Sequence, residues 1–89
     1  MDLEGWSGVL KTFADATRVR LLALLEGEEL TVAELSAITR LAQPRVSTHL
    51  ARLKEAGLVR DEALGTRRIY HLDPAGLGQI RQWLDRFWD

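Results

Sequence analysis

Between Leu41 and Val59 the apolar residues fall at helical spacing. Val46, Leu50 and Leu53 stand at i, i+4 and i+7 and form one stripe. Arg45, Thr48, Ala51, Arg52 and Glu55 fall on the opposite side. The pattern predicts an amphipathic helix over about 43–56. Pro44 suits its first turn, where a missing N–H costs nothing, and Gly57 stops it. Just upstream, Thr31-Val-Ala-Glu34 has the spacing of a capping box. Val32, Leu35, Ser36 and Ile38 then predict a short helix with one apolar face, and Thr39-Arg40-Leu41 is the connecting turn. A short helix, a tight turn and a longer second helix make a helix-turn-helix.

The flanking segments extend the pattern. Trp6, Val9, Leu10 and Phe13 share one face of a helix running from about Gly5 to Phe13. Asp15 is positioned to cap a second helix, Ala16 to Glu26, and Gly27 ends it. Val19, Leu22 and Ala23 line one face of that helix, and Leu21, Leu24 and Leu25 widen it. Such a girth predicts a central place in the core. After Gly57 the period changes from 3.6 to 2. Leu58–Ala63 and Arg67–Leu72 read as strands, with Leu64-Gly65-Thr66 as the hairpin turn and Gly65 supplying a positive φ. A hairpin over 58–72 behind a helix-turn-helix is a wing. Asp73-Pro74 opens a last helix, whose stripe is Leu77, Ile80, Leu84 and Phe87, widened by Trp83 and Trp88. Gly76 and Gly78 weaken its first turn. The expected class is α+β, mostly helical: a winged helix-turn-helix, four helices, a hairpin and a fifth helix, in one domain over residues 1–89.

Composition adds a partner surface. At 89 residues with 46% hydrophobic positions and three Trp, the apolar supply is generous for one small core. Trp6, Trp83, Phe87 and Trp88 read as an interface between two copies, since aromatic residues are enriched there. The competing reading is a cage for an aromatic ligand or a methylated cation. No apolar run approaches the ~20 residues of a membrane span. Asp2 and Glu4 stand where a secretory signal needs positive charge. The absence of Cys excludes disulfides and thiolate metal sites within these residues. A cytoplasmic protein is expected.

Net charge is −1, which counts against nucleic acid if taken globally. Its distribution reverses that inference. Residues 1–39 carry net −4, residues 40–71 carry net +4 from seven basic and three acidic side chains, and residues 72–89 carry net −1. The excess sits on the second helix of the helix-turn-helix and the hairpin, where phosphate neutralisation would need it. The outward face of that helix starts with short hydrogen-bonding side chains and guanidinium groups, the mixture a helix reading base edges requires near its N-terminus.

Two segments carry a family resemblance. Leu10-Lys-Thr-Phe-Ala-Asp-Ala-Thr-Arg-Val-Arg-Leu-Leu-Ala-Leu-Leu25 matches an opening of the type L-x-x-L-A-D-P-T-R-x-R-I-L-x-L-L, with Ala16 where Pro is usual. Leu41 to Val59 matches L-S-Q-S-x-V-S-x-H-L-x-x-L-x-x-A-G-L-V. The chain thus resembles the winged-helix repressors of the ArsR (arsenical-resistance) family over nearly its whole length. The resemblance implies a homodimer joined by the first and last helices, here through Trp6, Leu10, Leu77, Ile80, Trp83, Leu84, Phe87 and Trp88. It implies two recognition helices in successive major grooves of a pseudo-palindromic double-stranded DNA operator. The family's contact positions fall on Gln43, Pro44, Ser47 and Thr48, with Arg67 and Arg68 in the wing. The helical-face reading adds Arg45 and Arg52, and Arg40 in the turn adds a phosphate contact.

The departures are informative. Ala42 replaces the usual capping Ser. Arg40 stands where the turn often carries Gly, and a positive φ there would cost about 1 kcal/mol. Family members that sense soft metals carry Cys in the segment equivalent to Leu30–Leu35, where this chain has Thr31 and Ala33. Others use His and carboxylates on the last helix, which here offers only Asp73, Asp85 and Asp89. No metal sensing and no cofactor are expected; the expected regulation is by an unknown organic effector, by another protein, or by none at all. His49, at the border of the apolar stripe, reads as structural, and His71 alternates with Tyr70 along a strand. Gly76-Leu-Gly78 has neither the strand nor the third glycine of a nucleotide loop. No acid–base pair or nucleophile constellation supports catalysis. The alternatives are a winged-helix part of a longer fused protein, such as a methyltransferase, and a winged helix used for protein interaction. The positive middle segment speaks against the latter.

Overall fold

The computed structural model describes residues 2–88. Helix α1 spans Leu3–Phe13 and starts two residues earlier than periodicity suggests, because the Asp2 carboxylate accepts from the Gly5 amide at 2.7 Å. Helix α2 spans Ala16–Gly27, and Asp15 caps it by accepting from the Arg18 amide at 3.1 Å. A two-residue strand β1, Leu30–Thr31, leads into α3, Val32–Thr39. The capping box of α3 is complete. Thr31 Oγ1 accepts from the Glu34 amide at 3.1 Å, and Glu34 Oε1 accepts from the Thr31 amide at 3.0 Å. Helix α4 follows over Gln43–Glu55, then β2 Val59–Leu64, β3 Arg67–Leu72 and α5 Pro74–Asp85. This is the expected winged helix-turn-helix.

The hairpin registers Val59 against Leu72 and Leu64 against Arg67, leaving Gly65-Thr66 as a two-residue turn. Gly65 has φ +63 while Thr66 stays negative, the sign pattern of a II′ turn. Strand β1 was not expected, since two residues have no readable period. It pairs antiparallel with β3 through Leu30–Tyr70 and Thr31–Ile69, giving a three-stranded sheet of order β1-β3-β2. The wing is thereby sewn to the start of the helix-turn-helix.

The core is Leu21 and Leu25 of α2, Leu30, Leu35, Val46, Leu50 and Leu53, with Leu58 and Val59. Each fully buried aliphatic side chain contributes roughly 1.5–3 kcal/mol. Three sequence expectations need correction. On α2 the buried face is Leu21 and Leu25, whereas Val19 is exposed. On α3, Leu35 and Thr39 are buried and Ile38 is exposed. The stripe expected of the last helix is divided: Leu77 and Ile80 pack on the protomer's own core, Leu84 does not, and Phe87 and Trp88 lie exposed beyond the end of α5. In each case the sequence gives an apolar arc wider than one neighbour can cover, and the crossing geometry selects part of it.

Two arginines join helix ends. Arg18 Nε donates to the Thr12 carbonyl at 2.7 Å, which closes the end of α1. Arg20 Nη2 donates to the Ile38 carbonyl at 3.3 Å, which ties α2 to the last turn of α3. Gly76 is more than a weak point of α5. A Cβ built there would lie 1.6 Å from the Gly57 carbonyl oxygen, so only glycine lets α5 sit on the turn that ends α4.

Candidate nucleic-acid interface

The interface is built from the turn outward. Arg40 closes α3 in the left-handed region, φ 61° and ψ 27°, and its amide donates to the Ser36 carbonyl at 2.8 Å. Thr39 Oγ1 donates to the Leu35 carbonyl at 2.7 Å, and the Ser36 hydroxyl donates to the Leu41 carbonyl. These bonds hold the turn in a conformation that costs an L-residue about 1 kcal/mol. The Arg40 side chain is exposed. Helix α4 then starts behind Ala42, which supplies no side-chain cap.

Val46, Leu50 and Leu53 are fully buried and fix the rotation of α4 about its axis. At about 100° per residue, Pro44, Thr48 and Glu55 point away from the core. Gln43, Ser47 and Lys54 then occupy the flank toward the wing, and Arg45 and Arg52 the flank toward α1. The clefts agree with this division. Gln43 lines a cleft of about 260 Å³ with Thr31, Thr66, Arg67 and Arg68. Arg52 lines one of about 380 Å³ with Gly5, Gly8 and Thr12 of α1. Arg45, Ser47, Thr48 and Arg52 are all exposed. Thr48 Oγ1 donates to the Pro44 carbonyl at 2.9 Å, which fixes the side chain against its own helix while it stays exposed.

On the wing, Arg67 is exposed at the foot of the turn. Arg68 departs from the sequence expectation of a free backbone contact. Its Nη1 lies 2.7 Å from Asp61 Oδ2, and Lys54 Nζ lies 2.8 Å from Asp61 Oδ1. The Asp61 side chain is 5% exposed, each cation 55%. The hydrogen bond from Lys54, with that from Arg68, holds the Asp61 carboxyl below its ordinary value against the opposing effect of burial. Asp61 raises the Arg68 guanidinium in turn. Burial, with Asp61 opposite it in the ladder, raises Tyr70. Asp61 and Lys54 were missed by sequence reasoning. The available signal was a charge at an inward position of a strand, readable only once the hairpin register is known.

His49 is half-buried, and its Nδ1 has no hydrogen-bond partner among the described residues. His71 Nδ1 lies 3.7 Å from Glu29 Oε1, beside β1 and away from α4.

On the side of the protomer made by α1 and α5, Trp6 stacks on Trp83 with centroids 4.8 Å apart, and Phe87 meets Trp83 edge-on at 5.1 Å. Leu3, Leu10, Leu84, Phe87 (68% exposed) and Trp88 (78%) present apolar area around this stack. Of the eight expected interface residues, Leu77 and Ile80 are thus taken by the core, and Trp6 is buried against α5 of its own protomer.

Soft-metal ligation does not fit the residues present. Thr31 Oγ1 is committed to the α3 cap, Ala33 has no donor atom, and there is no Cys. Among the described residues no three His, Asp or Glu side chains are grouped to hold a metal; Asp89 lies outside them. Among the same residues no helix is long and apolar enough to cross a membrane.

Known proteins share this arrangement. The chain is 46% identical over 78 residues to the HTH-type transcriptional regulator Rv2034 of Mycobacterium tuberculosis, covering 88% of this chain and 73% of that one. It is 30% identical over 81 residues to the transcriptional repressor SdpR of Bacillus subtilis, covering 91% and 90%. It spans 58% of the length of the arsenic resistance transcriptional regulator ArsR1 of Pseudomonas putida, 42% identical, with 86% of this chain matched. The solution structure of the homodimeric winged helix-turn-helix DNA-binding domain Mb0332 of Mycobacterium bovis superimposes with a TM-score of 0.81 at 26% identity, over 98% of this chain and 81% of that one. The model of bacterial regulatory proteins of the arsR family matches residues 15–61, from the cap of α2 through α3 and α4 into the wing, and the chain belongs to that family.

Proposed function

We propose that the protein is a dimeric, sequence-specific transcriptional repressor, acting in the cytoplasm as one DNA-binding unit. The observation that carries this reading is the rotation of α4. Three fully buried residues aim Thr48 outward, with Arg45 and Arg52 on one flank and Gln43 and Ser47 on the other. The N-terminal half of α4, with Gln43, Pro44, Arg45, Ser47 and Thr48, enters the major groove. Arg40, Arg52 and Arg67 neutralise phosphates on either side. Arg68 reaches a phosphate only with the donors that Asp61 leaves free.

Dimerisation follows from shape as well as kinship. The radius of gyration is 13.7 Å against about 12 Å for a compact chain of this length, with extents of 44 × 23 × 20 Å. The elongated protomer leaves Leu10, Leu84, Phe87 and Trp88 outside its core. A second copy related by two-fold symmetry covers them and sets two copies of α4 one helical turn apart on DNA.

The test is selection from a randomised duplex pool, with affinity of the recovered duplex measured across a salt series. Recovery of a two-fold-symmetric sequence whose affinity falls steeply with salt is the expected result. Absence of enrichment at low salt would overturn the reading in favour of a protein-interaction module.

A further inference from the structure

The carboxylate of Asp61 is placed unlike any other described acidic group. It is almost wholly buried, yet both of its partners are half-exposed cations, one on each DNA-facing element. Lys54 comes from the last turn of α4, and Arg68 comes from β3 of the wing. Asp61 itself is on β2, opposite Tyr70, so Arg68 is its diagonal neighbour on the same face of the ladder. One oxygen serves each cation, at 2.8 and 2.7 Å. The three groups carry net +1 where two free cations would carry +2.

We propose that Asp61 is a positioning residue that sets the selectivity of DNA binding, by holding Lys54 of the recognition helix and Arg68 of the wing as one unit. Two consequences follow from the geometry. The wing cannot tilt relative to α4 without breaking a bond to a carboxylate that has little access to water, so the spacing between groove and backbone contacts is fixed. The carboxylate also cancels one unit of charge that would attract any duplex regardless of sequence. Both effects favour a matched site over random DNA. This inference rests on the DNA-binding reading above.

The experiment compares wild type, Asp61→Asn and the double variant Asp61→Asn/Arg68→Gln. Each is titrated against a duplex selected by the wild type and against a random-sequence duplex, across a salt series. Asn keeps the side-chain volume and some hydrogen bonding while removing the charge. For Asp61→Asn, affinity for random duplex is expected to rise several-fold, with a salt slope steeper by about 0.9 per protomer. Its ratio of selected to random affinity is expected to fall. The double variant restores the net +1, so its slope on random duplex should return to that of wild type, while the ratio stays low because the clamp is still absent. A purely structural role would leave the random-duplex slope unchanged. Unchanged slope and ratio in Asp61→Asn, with wild type binding normally, would overturn the inference alone. Failure of the wild type to select any duplex would overturn both readings. If Asp61→Asn does not fold, Arg68→Gln with Asp61 intact takes its place: its random-duplex slope should become shallower by about 0.9 per protomer, and an unchanged slope would overturn the inference.

Discussion

Arg40 is the one non-glycine residue of the described chain with a positive φ, and it sits in the turn that sets α3 against α4. Glycine would remove about 1 kcal/mol of strain there but add roughly 0.5–1 kcal/mol of unfolded-state entropy. Arg40→Gly should therefore leave the urea midpoint almost unmoved. If the guanidinium meets a phosphate, the same change weakens binding to every duplex and flattens the salt slope by about 0.9 per protomer. An unaltered slope would remove Arg40 from the interface. Gly76 makes the opposite case. Its absent Cβ is filled by the Gly57 carbonyl, and neither backbone can yield without moving α5. Gly76→Ala should cost about 3 kcal/mol, seen as a lowered thermal midpoint. A cost no greater than that of an exposed helical substitution would show that α5 is free to shift.

At the scale of elements, α4 is a helix whose buried stripe fixes orientation and whose exposed face is left to the ligand. Thr48→Ala should weaken binding to the selected duplex by roughly 1–3 kcal/mol and leave random duplex nearly unaffected. Equal losses on both would assign Thr48 to helix stability, through its bond to Pro44, and not to base reading. The α1–α5 pair divides its apolar residues between two tasks. Trp6 and Trp83 hold the two helices of one protomer together, so Trp83→Ala would disturb the fold as well as any dimer. Leu10 is exposed on the same side and touches less of the core, which makes it the cleaner probe. Leu10→Glu should shift the sedimentation coefficient at micromolar concentration from dimer to monomer without lowering helix content. A dimer that persists would move the interface elsewhere. The sequence showed each helix because a 3.6 period is a local property. It did not show how α5 is split, because that depends on which side of the helix meets the core.

Across the whole molecule, three carboxylates among the described residues are held below their ordinary values. Asp61 is lowered chiefly by the hydrogen bond from Lys54, Asp15 by the Arg18 amide it caps and Glu34 by the Thr31 amide. A folded-state value below the unfolded one means stability that is present above about pH 4 and lost as pH falls through the lowered folded values. Urea midpoints should be level at neutral pH and decline below about pH 4, with a shallower decline in Asp61→Asn. Midpoints level down to pH 3 would show that these bonds do not persist in solution.

The caps at Asp15, Thr31 and Asp73, the stripe Val46-Leu50-Leu53, the glycine turn of the wing and the motif residues of α3 and α4 were legible in the sequence by itself. Each depends on residues within four positions of one another, where backbone geometry alone decides which groups meet. The left-handed Arg40 was raised only as a condition, through the resemblance, which often places glycine at that point of the turn. What only the tertiary structure decided depends on segments far apart in the chain. Strand β1 exists because β3 offers it an edge, and Gly76 is required because α5 crosses the end of α4 at backbone contact. Arg68 looked free because its sequence neighbours are basic or apolar. The carboxylate that holds it lies seven residues away across a hairpin, beside a lysine brought there by the packing of α4. Periodicity assigns a residue to a face, but it takes the register of the sheet and the seating of the helix to say which charges that face will share.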